Sequence, residues 1–451
     1  MVQSNRLRLH TLAGSAEKID FSKYEIKRYT HFDKRVSIEK VFKNITNPDW
    51  VSQHGFYPFI HFELKSFKYI KRERIKKTKF RQIYYASHID SYIFKYYGDV
   101  LNGKYNELVN KLQINDVATA YRNNLKGKSN IDFAKEVIDF IKEHEQAFIF
   151  VADFTNFFDE LDHRYLKKQI QTVLGTSKLS NDYYAVFKNI TKFSWVDKHA
   201  IEAVLKKKYK ENKKIKKITR FRYFDEKEFR KFREADKDNI KFNKNNFGVP
   251  QGAGLSSVCS NIYLIDFDKM IYDYVKNHNG LYRRYCDDLI IVIPFSEKIE
   301  EYSYDKHMNF IENSKNIIPR LIIQEEKTAK YIYSGSKIFD ENLKASHLDY
   351  LGFTFDGPNI KIREKSVFKF YNRAYKKVRL CNWKTEKYGR KKLRKSLYIK
   401  YTHLGKTRKG YGNFLSYVSR AQKKFDANTA TNNLMELQVK NHWKYIGKRL
   451  K

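Results

Sequence analysis

The sequence is poor in the residues that cross-link or punctuate a chain. It has 3 cysteines in 451 residues: Cys259, Cys286 and Cys381. They lie far apart and form neither a metal-ligand pair nor a disulfide framework, so a reducing compartment is expected. Only 6 prolines and 18 glycines occur. No Pro- or Ser-rich linker appears, so the domains are expected to pack continuously. No apolar run reaches the roughly 18 residues of a membrane-spanning helix, and no basic amphipathic helix stands alone, so no membrane partner is expected. Met1-Val2-Gln3-Ser4-Asn5-Arg6 lacks the apolar stretch of a signal peptide, and a cytoplasmic location follows as the expectation. Acidic residues are outnumbered too, with 51 Asp+Glu against 90 Lys+Arg.

The resulting net charge of +39 is too large for a neutral metabolic enzyme and points to a polyanionic partner, nucleic acid first. The hydrophobic fraction of 41% and aromatic fraction of 16% are enough for a sizeable core. Most of the 34 Tyr and 34 Phe are expected in that core, and the remainder can stack on bases between phosphate-binding lysines. The length suits two or three domains. Residues 88–145 show the three- and four-residue apolar spacing of helices, as in Ile93, Tyr96, Tyr97, Val100 and Leu101. Residues 163–245 read as mainly helical and carry a lysine block at 206–214, and a second basic stretch spans 71–81. Strand-like segments fall at 147–151, 281–293, 320–324, 330–333 and 349–355. After about residue 365 the pattern is helical and basic.

Three segments carry chemistry. Tyr285-Cys286-Asp287-Asp288 sits between two strand-like runs, and two adjacent anions at a hairpin tip repel unless something positive binds there. Phe148-Ile149-Phe150-Val151-Ala152-Asp153 is an apolar strand that delivers Asp153 to its C-terminal end. If the two strands are neighbours in one sheet, three carboxylates converge, enough to bridge two Mg²⁺ ions between protein and a triphosphate. The backbone carbonyl of Phe154 can add an oxygen ligand. Gly248-Val249-Pro250-Gln251-Gly252-Ala253-Gly254 is a glycine-rich loop leading into a helix, a form that lets backbone approach a nucleotide. Each has a bland alternative: a turn, a helix N-cap, an ordinary loop.

Taken in order, Asp153 with Phe157-Phe158, Pro250-Gln251-Gly252, Tyr285-Cys286-Asp287-Asp288, Leu321 to Thr328 and Tyr350-Leu351-Gly352-Phe353 resemble the successive palm motifs of reverse transcriptases. The resemblance covers roughly residues 70–360. It implies an α+β right-hand polymerase: an N-terminal extension and fingers over 1–145, a palm over 146–360 with a helical insertion at about 163–245, and a helical basic thumb over 361–451. It implies Asp153, Asp287 and Asp288 as metal-binding aspartates, with the Phe154 carbonyl, and dNTP as substrate. Phe158 matches the steric gate under the sugar. Gln251 and Gly252 match the loop that touches the incoming nucleotide. Lys327 matches the lysine that protonates pyrophosphate, although Gln324 stands where the family often has asparagine. Tyr350, Leu351 and Gly352 match the primer grip. Arg81, and Arg122 as a further candidate, resemble fingers arginines that contact the triphosphate.

Absences narrow the class. No RNase H-like acidic cluster, no HNH pattern with paired cysteines and no Val-Thr-Gly tripeptide follows the palm. The segment Asp349 to Ser366, Tyr121-Arg122 with Lys126 to Ile131, and Gly412 to Tyr417 with Gln438 and His442 resemble bacterial abortive-infection and "unknown group" enzymes, the antiphage-defence class. That likeness implies an RNA template, a small non-coding RNA in several members, with a DNA product. It also allows template-independent or protein-primed synthesis, a homo-oligomer or a companion defence protein. Three other readings compete: an RNA-synthesising polymerase, which bulky Phe158 disfavours; an intron-type maturase; and a basic RNA-binding scaffold with a vestigial palm, which retention of all three aspartates disfavours.

Overall fold

A computed structural model describes residues 21–70, 75–211, 221–235, 237–389, 393–407, 412–427 and 432–451. Lys71-Arg72-Glu73-Arg74, part of the basic stretch at 71–81, and Asn212-Lys213-Lys214, part of the lysine block, lie outside the described residues. The first strands, β1 (Phe59–Ile70) and β2 (Ile75–Tyr85), form a long antiparallel ribbon in register from Ile60↔Tyr85 to Ile70↔Ile75. The helix His88–Lys111 follows, its N-terminus capped by Ser87, which accepts from the Asp90 amide. The helix Asn130–Lys142 opens with a reciprocal capping box between Ser129 and Asp132.

Strand β3 (Gln146–Asp153) then enters the centre of the molecule. Two short strands, β4 (Ser194–Asp197) and β5 (Lys241–Phe242), extend the ribbon into a sheet of order β2-β1-β4-β5. They interrupt a region read from sequence as mainly helical, whose helices among the described residues are His163–Leu174, Asn181–Thr191, Lys198–Glu211 and Glu226–Ala235. Strands β6 (Leu281–Tyr285), β7 (Asp288–Pro294), β8 (Ala329–Ser334) and β9 (Lys337–Asp340) complete a five-stranded antiparallel sheet, order β6-β7-β3-β8-β9. Three further strands, β10 (Leu348–Tyr350), β11 (Phe353–Phe355) and β12 (Ile360–Ile362), make a small antiparallel sheet beside it.

Side-chain alternation along β3 and β7 explains why both faces of the central sheet are covered. Phe148, Phe150, Ala152, Leu289, Ile291 and Ile293 enter one core, which includes helices Gly254–Tyr263 and Ile265–Lys276. Ala147, Ile149, Ile290 and Val292 enter the other, with helices Asn130–Lys142 and Phe414–Asp426. Burying each of the large side chains in these strands is worth about 1.5–3 kcal/mol, and the sheet is correspondingly fixed in register.

The segment 320–324, expected to be a strand, is not one. Its backbone meets the end of β3 through the bridge Phe154↔Ile323 and the bonds Thr155 N to Ile322 O (2.8 Å) and Gln324 N to Asp153 O (2.7 Å). It props the end of β3 without continuing the sheet, and Ile322 stays exposed. The tail is helical as expected, from Glu364–Tyr388 to His442–Gly447. Among the described residues, no helix is long and apolar enough to cross a membrane.

Candidate active site

Register places the first two carboxylates. Asp153, the last residue of β3, pairs directly with Asp288, the first residue of β7. Cross-strand partners share a face, with Cβ atoms about 4.5–5.5 Å apart, and like charges there are destabilising. Asp287 lies in the two-residue turn between Tyr285 and Asp288, which are themselves paired. Cys286, the first turn residue, has φ +62, and Asp287 is not in the positive-φ region, the sign pattern of a type II′ hairpin turn. That position ordinarily belongs to glycine, so a cysteine there holds a strained backbone. The Phe154 amide donates to the Asp287 carbonyl (3.3 Å) and ties the two carboxylate-bearing segments together.

Electrostatics follow from this crowding. Desolvation in the cleft, then repulsion from Asp287 and Asp153, pushes the Asp288 carboxyl up to about 6. Asp153 is 8% exposed. Its pKa is raised, by burial first and by Asp287, against the lowering effect of Lys327. The Lys327 ammonium is ion-paired with Asp153 Oδ2, and the other carboxylate oxygen, Oδ1, is buried with no hydrogen-bond partner among the described residues. An orphaned anionic oxygen beside two more carboxylates suits a cation. As they stand the side chains are not a closed ligand set: among the described residues, no group of three or more His, Cys, Asp or Glu could hold a metal ion. Mg²⁺ does not require one, since it commonly binds through one or two carboxylates, waters and substrate phosphates. The donor set therefore fits Mg²⁺ as a site completed by a nucleotide.

The glycine-rich loop docks on the segment after β3. Val249 N donates to Phe158 O (2.9 Å), and Gln251 Nε2 donates to Asp159 Oδ2 (3.2 Å). Phe158 is partly buried against the first core. On its other side the loop meets the edge of β2, where Tyr84 N donates to Gln251 O (2.9 Å). Gly252 has φ +117, and a Cβ there would lie 2.4 Å from the Tyr84 carbonyl oxygen. Both conformation and space demand glycine. Arg81 is exposed on β2, three residues before this contact and opposite Leu64.

Arg122 does not sit with this group. Its guanidinium donates to Asn106 Oδ1, to the carbonyls of Asn115 (2.9 Å) and Ala118 (3.1 Å), and to Asn115 Oδ1 (2.7 Å), and it lies over the Tyr105 ring. Those bonds take four of its five N–H donors, so in the free protein it braces the loop around residues 115–123. Asparagines at 106 and 115 were the available signal.

Two further groups border the site and escaped the sequence reading. Arg363 and Asp349 form an ion pair, and both line the two clefts, of about 330 and 280 Å³, that flank Asp288. Tyr350 and Gly352 line the first cleft, Asp153 and Lys327 the second. Beneath the hairpin lies Arg284, fully buried and paired with Asp268. The signal was two consecutive arginines, Arg283-Arg284, inside an otherwise apolar strand.

No protein-family model matches the chain. Over 186 residues it is 23% identical to the telomerase reverse transcriptase of Euplotes aediculatus, a stretch covering 37% of this chain and 17% of that one. Among solved structures, telomerase from Candida albicans in complex with a TWJ fragment of telomeric RNA is 12% identical, with a TM-score of 0.44, covering 91% of this chain and 65% of that one. Apo telomerase from Candida tropicalis is 11% identical, with a TM-score of 0.43, covering 92% and 71%. The chain thus spans under a fifth of the curated relative it matches. The sequence likeness falls on a reverse transcriptase, and the architecture is α+β, with carboxylates at the end of an antiparallel sheet.

Proposed function

We propose that this chain is an RNA-directed DNA polymerase. The observation that carries the reading is the pairing of Asp153 with Asp288, beside Asp287, on one face of adjacent strands. A fold has little reason to crowd three anions at a sheet end except to hold cations. Asp153, Asp287, Asp288 and the Phe154 carbonyl would hold two Mg²⁺ ions, which in this chemistry activate the attacking 3′-hydroxyl and neutralise the departing pyrophosphate. The chain's own groups do the rest. The Gly248–Gly252 loop and β2 position the incoming dNTP, Arg81 supplies charge for its phosphates, and the Phe158 ring closes the space under the sugar. Lys327 neutralises Asp153 in the free protein and is the proton donor nearest the carboxylates. The name of the sequence relative, a reverse transcriptase, and the +39 charge support RNA as template.

The decisive test is Asp287→Asn combined with Asp288→Asn. The double variant should fold, bind RNA as the parent does, and incorporate no nucleotide. Incorporation at the parent rate by purified double variant would refute the assignment.

At a finer level, the reading places the enzyme in bacterial antiphage defence, copying a small non-coding RNA. The support is the family likeness in 349–366, 121–131 and 412–442. Sequencing the RNA and DNA that co-purify separates the modes. A uniform small RNA with complementary DNA supports templated copying, whereas a homopolymer covalently held to protein indicates template-independent, protein-primed synthesis.

A further inference from the structure

The hairpin that bears Asp287 and Asp288 rests on a guanidinium with 0% exposure. Arg284 Nε and Nη2 donate to the two carboxylate oxygens of Asp268, at 2.9 and 2.6 Å. Its Nη1 donates both to Asn261 Oδ1 (3.2 Å) and to the carbonyl of Cys286 (2.8 Å). Asp268, also fully buried, accepts a further bond from the Tyr282 hydroxyl (2.8 Å). Asn261 in turn donates to the Ala120 carbonyl (2.8 Å). One side chain thereby joins the turn, helix Gly254–Tyr263 that follows the glycine-rich loop, helix Ile265–Lys276, and the loop braced by Arg122.

Stability alone is a poor reason for this arrangement. Desolvating an ion pair commonly offsets its attraction, and an apolar replacement of similar volume is often no less stable. What the pair supplies is direction. The Cys286 carbonyl belongs to the peptide that leads into Asp287, and it leaves a residue whose φ of +62 a non-glycine side chain resists. Without a donor beneath it, that peptide is free to rotate toward an unstrained turn, carrying the Asp287 carboxylate with it. The opposite side of Asp287 is held by the Phe154 amide.

We infer that Arg284 is a positioning residue: its Nη1 bond to the Cys286 carbonyl, anchored by Asp268 and Asn261, holds the strained turn that aims Asp287 at Asp153. The inference rests on the polymerase reading for its purpose, but its geometry is independent of which nucleic acid is copied.

The test uses the full chain and four variants: Arg284→Lys and Asn261→Ala, each alone and combined with Cys286→Gly. Mn²⁺ affinity of nucleotide-free protein, read from the free-ion electron paramagnetic resonance signal, is measured beside the unfolding midpoint and the Mg²⁺ dependence of dNTP incorporation. Arg284→Lys should weaken Mn²⁺ binding fivefold or more and raise the half-saturating Mg²⁺ equally. Cys286→Gly should recover at least half of that loss on a logarithmic scale, because glycine adopts the positive φ without being held. A purely structural arginine would lower the midpoint, leave the folded protein's Mn²⁺ affinity unchanged, and show no recovery with glycine; either an unchanged affinity or absent recovery overturns the inference. If Arg284→Lys does not fold, the Asn261→Ala pair decides by the same criterion, with an expected shift of about threefold. If wild-type protein incorporates dNTP yet binds no Mn²⁺ without nucleotide, the Mg²⁺ dependence of incorporation decides by the same shift and recovery, and their absence there overturns the inference alone. Wild-type protein that binds Mn²⁺, shows the shift and recovery, and incorporates nothing overturns the proposed activity alone.

Discussion

Phe158 follows Asp153 by five residues, and its carbonyl accepts the Val249 amide, so the ring sits where the end of β3 and the glycine-rich loop meet. Partial burial against the core limits how far the ring can move aside. On the proposed placement of the nucleotide, a 2′-hydroxyl beneath it would have to displace packed atoms. Phe158→Ala should therefore cut dNTP-over-NTP selectivity at least tenfold, about 1.4 kcal/mol of discrimination, with little loss of dNTP turnover. Paired incorporation assays check this, and unchanged selectivity would make Phe158 an ordinary core ring. Gly252 is constrained more severely, because the atom its Cβ would strike is a backbone oxygen of β2. Gly252→Ala must push β2 away from the loop, at a cost of about 1–3 kcal/mol. The expected result is a tenfold or greater rise in KM for dNTP, together with faster hydrogen exchange of the Tyr84 amide that donates to Gln251. Normal exchange at Tyr84 in this variant would contradict the close approach.

At the scale of elements, legibility in the sequence tracked burial and sequence distance. Strand β3 was readable because Phe148 to Val151 is an unbroken apolar run ending in an acid. The meeting of Asp153 with Asp287 and Asp288 was readable because motifs in a fixed order constrain which strands are neighbours. Strand β4 was not, since Trp195 and Val196 owe their strand state to pairing with Phe59 and Ile60, more than a hundred residues earlier. The ribbon β1–β2 was hidden by its lysines, which suit an exposed strand as well as a loop. The ribbon's base also rests on a feature no periodicity reveals. His31 is fully buried among the rings of Phe32, Tyr57 and Tyr85. Burial first, and then the neighbouring His88, push its pKa down to about 3, while His88 itself falls to about 4. Both are neutral in the folded chain, and the unfolded chain takes up their protons near pH 6.5. Their contribution is whole above pH 6.5 and is lost as pH falls toward the folded values, at about 1.4 kcal/mol per pH unit for each histidine. Denaturant unfolding at pH 7.5, 6.5 and 5.5 should show falling stability, and His31→Phe should make that slope shallower. An identical slope in the variant would show that His31 is not a source of it.

Over the whole molecule the excess of positive charge has a place to act. The helix Glu364–Tyr388 begins at Arg363, which lines the clefts beside Asp288. Lys365, Lys369, Arg373, Lys376 and Arg379 recur along it at three- and four-residue spacing and are all exposed, so they share one face. Phe368 and Trp383 are exposed toward the two ends of the helix, 15 residues or about 22 Å apart. Cations in a row with exposed rings toward either end match a phosphate backbone with its bases. Each phosphate neutralised releases counterions, so affinity for an RNA–DNA duplex should fall linearly on a log–log plot against salt, by about a thousandfold between 50 and 200 mM if roughly six phosphates are engaged. Replacing Lys369, Arg373 and Lys376 together by alanine should make that slope shallower by about three and weaken binding alike for every sequence tested. Fluorescence anisotropy titrations at four salt concentrations, for parent and triple variant, measure both slopes. A flat parent response would mean the charge serves something other than nucleic acid, and a steep parent slope left unchanged in the variant would move the contact off this helix.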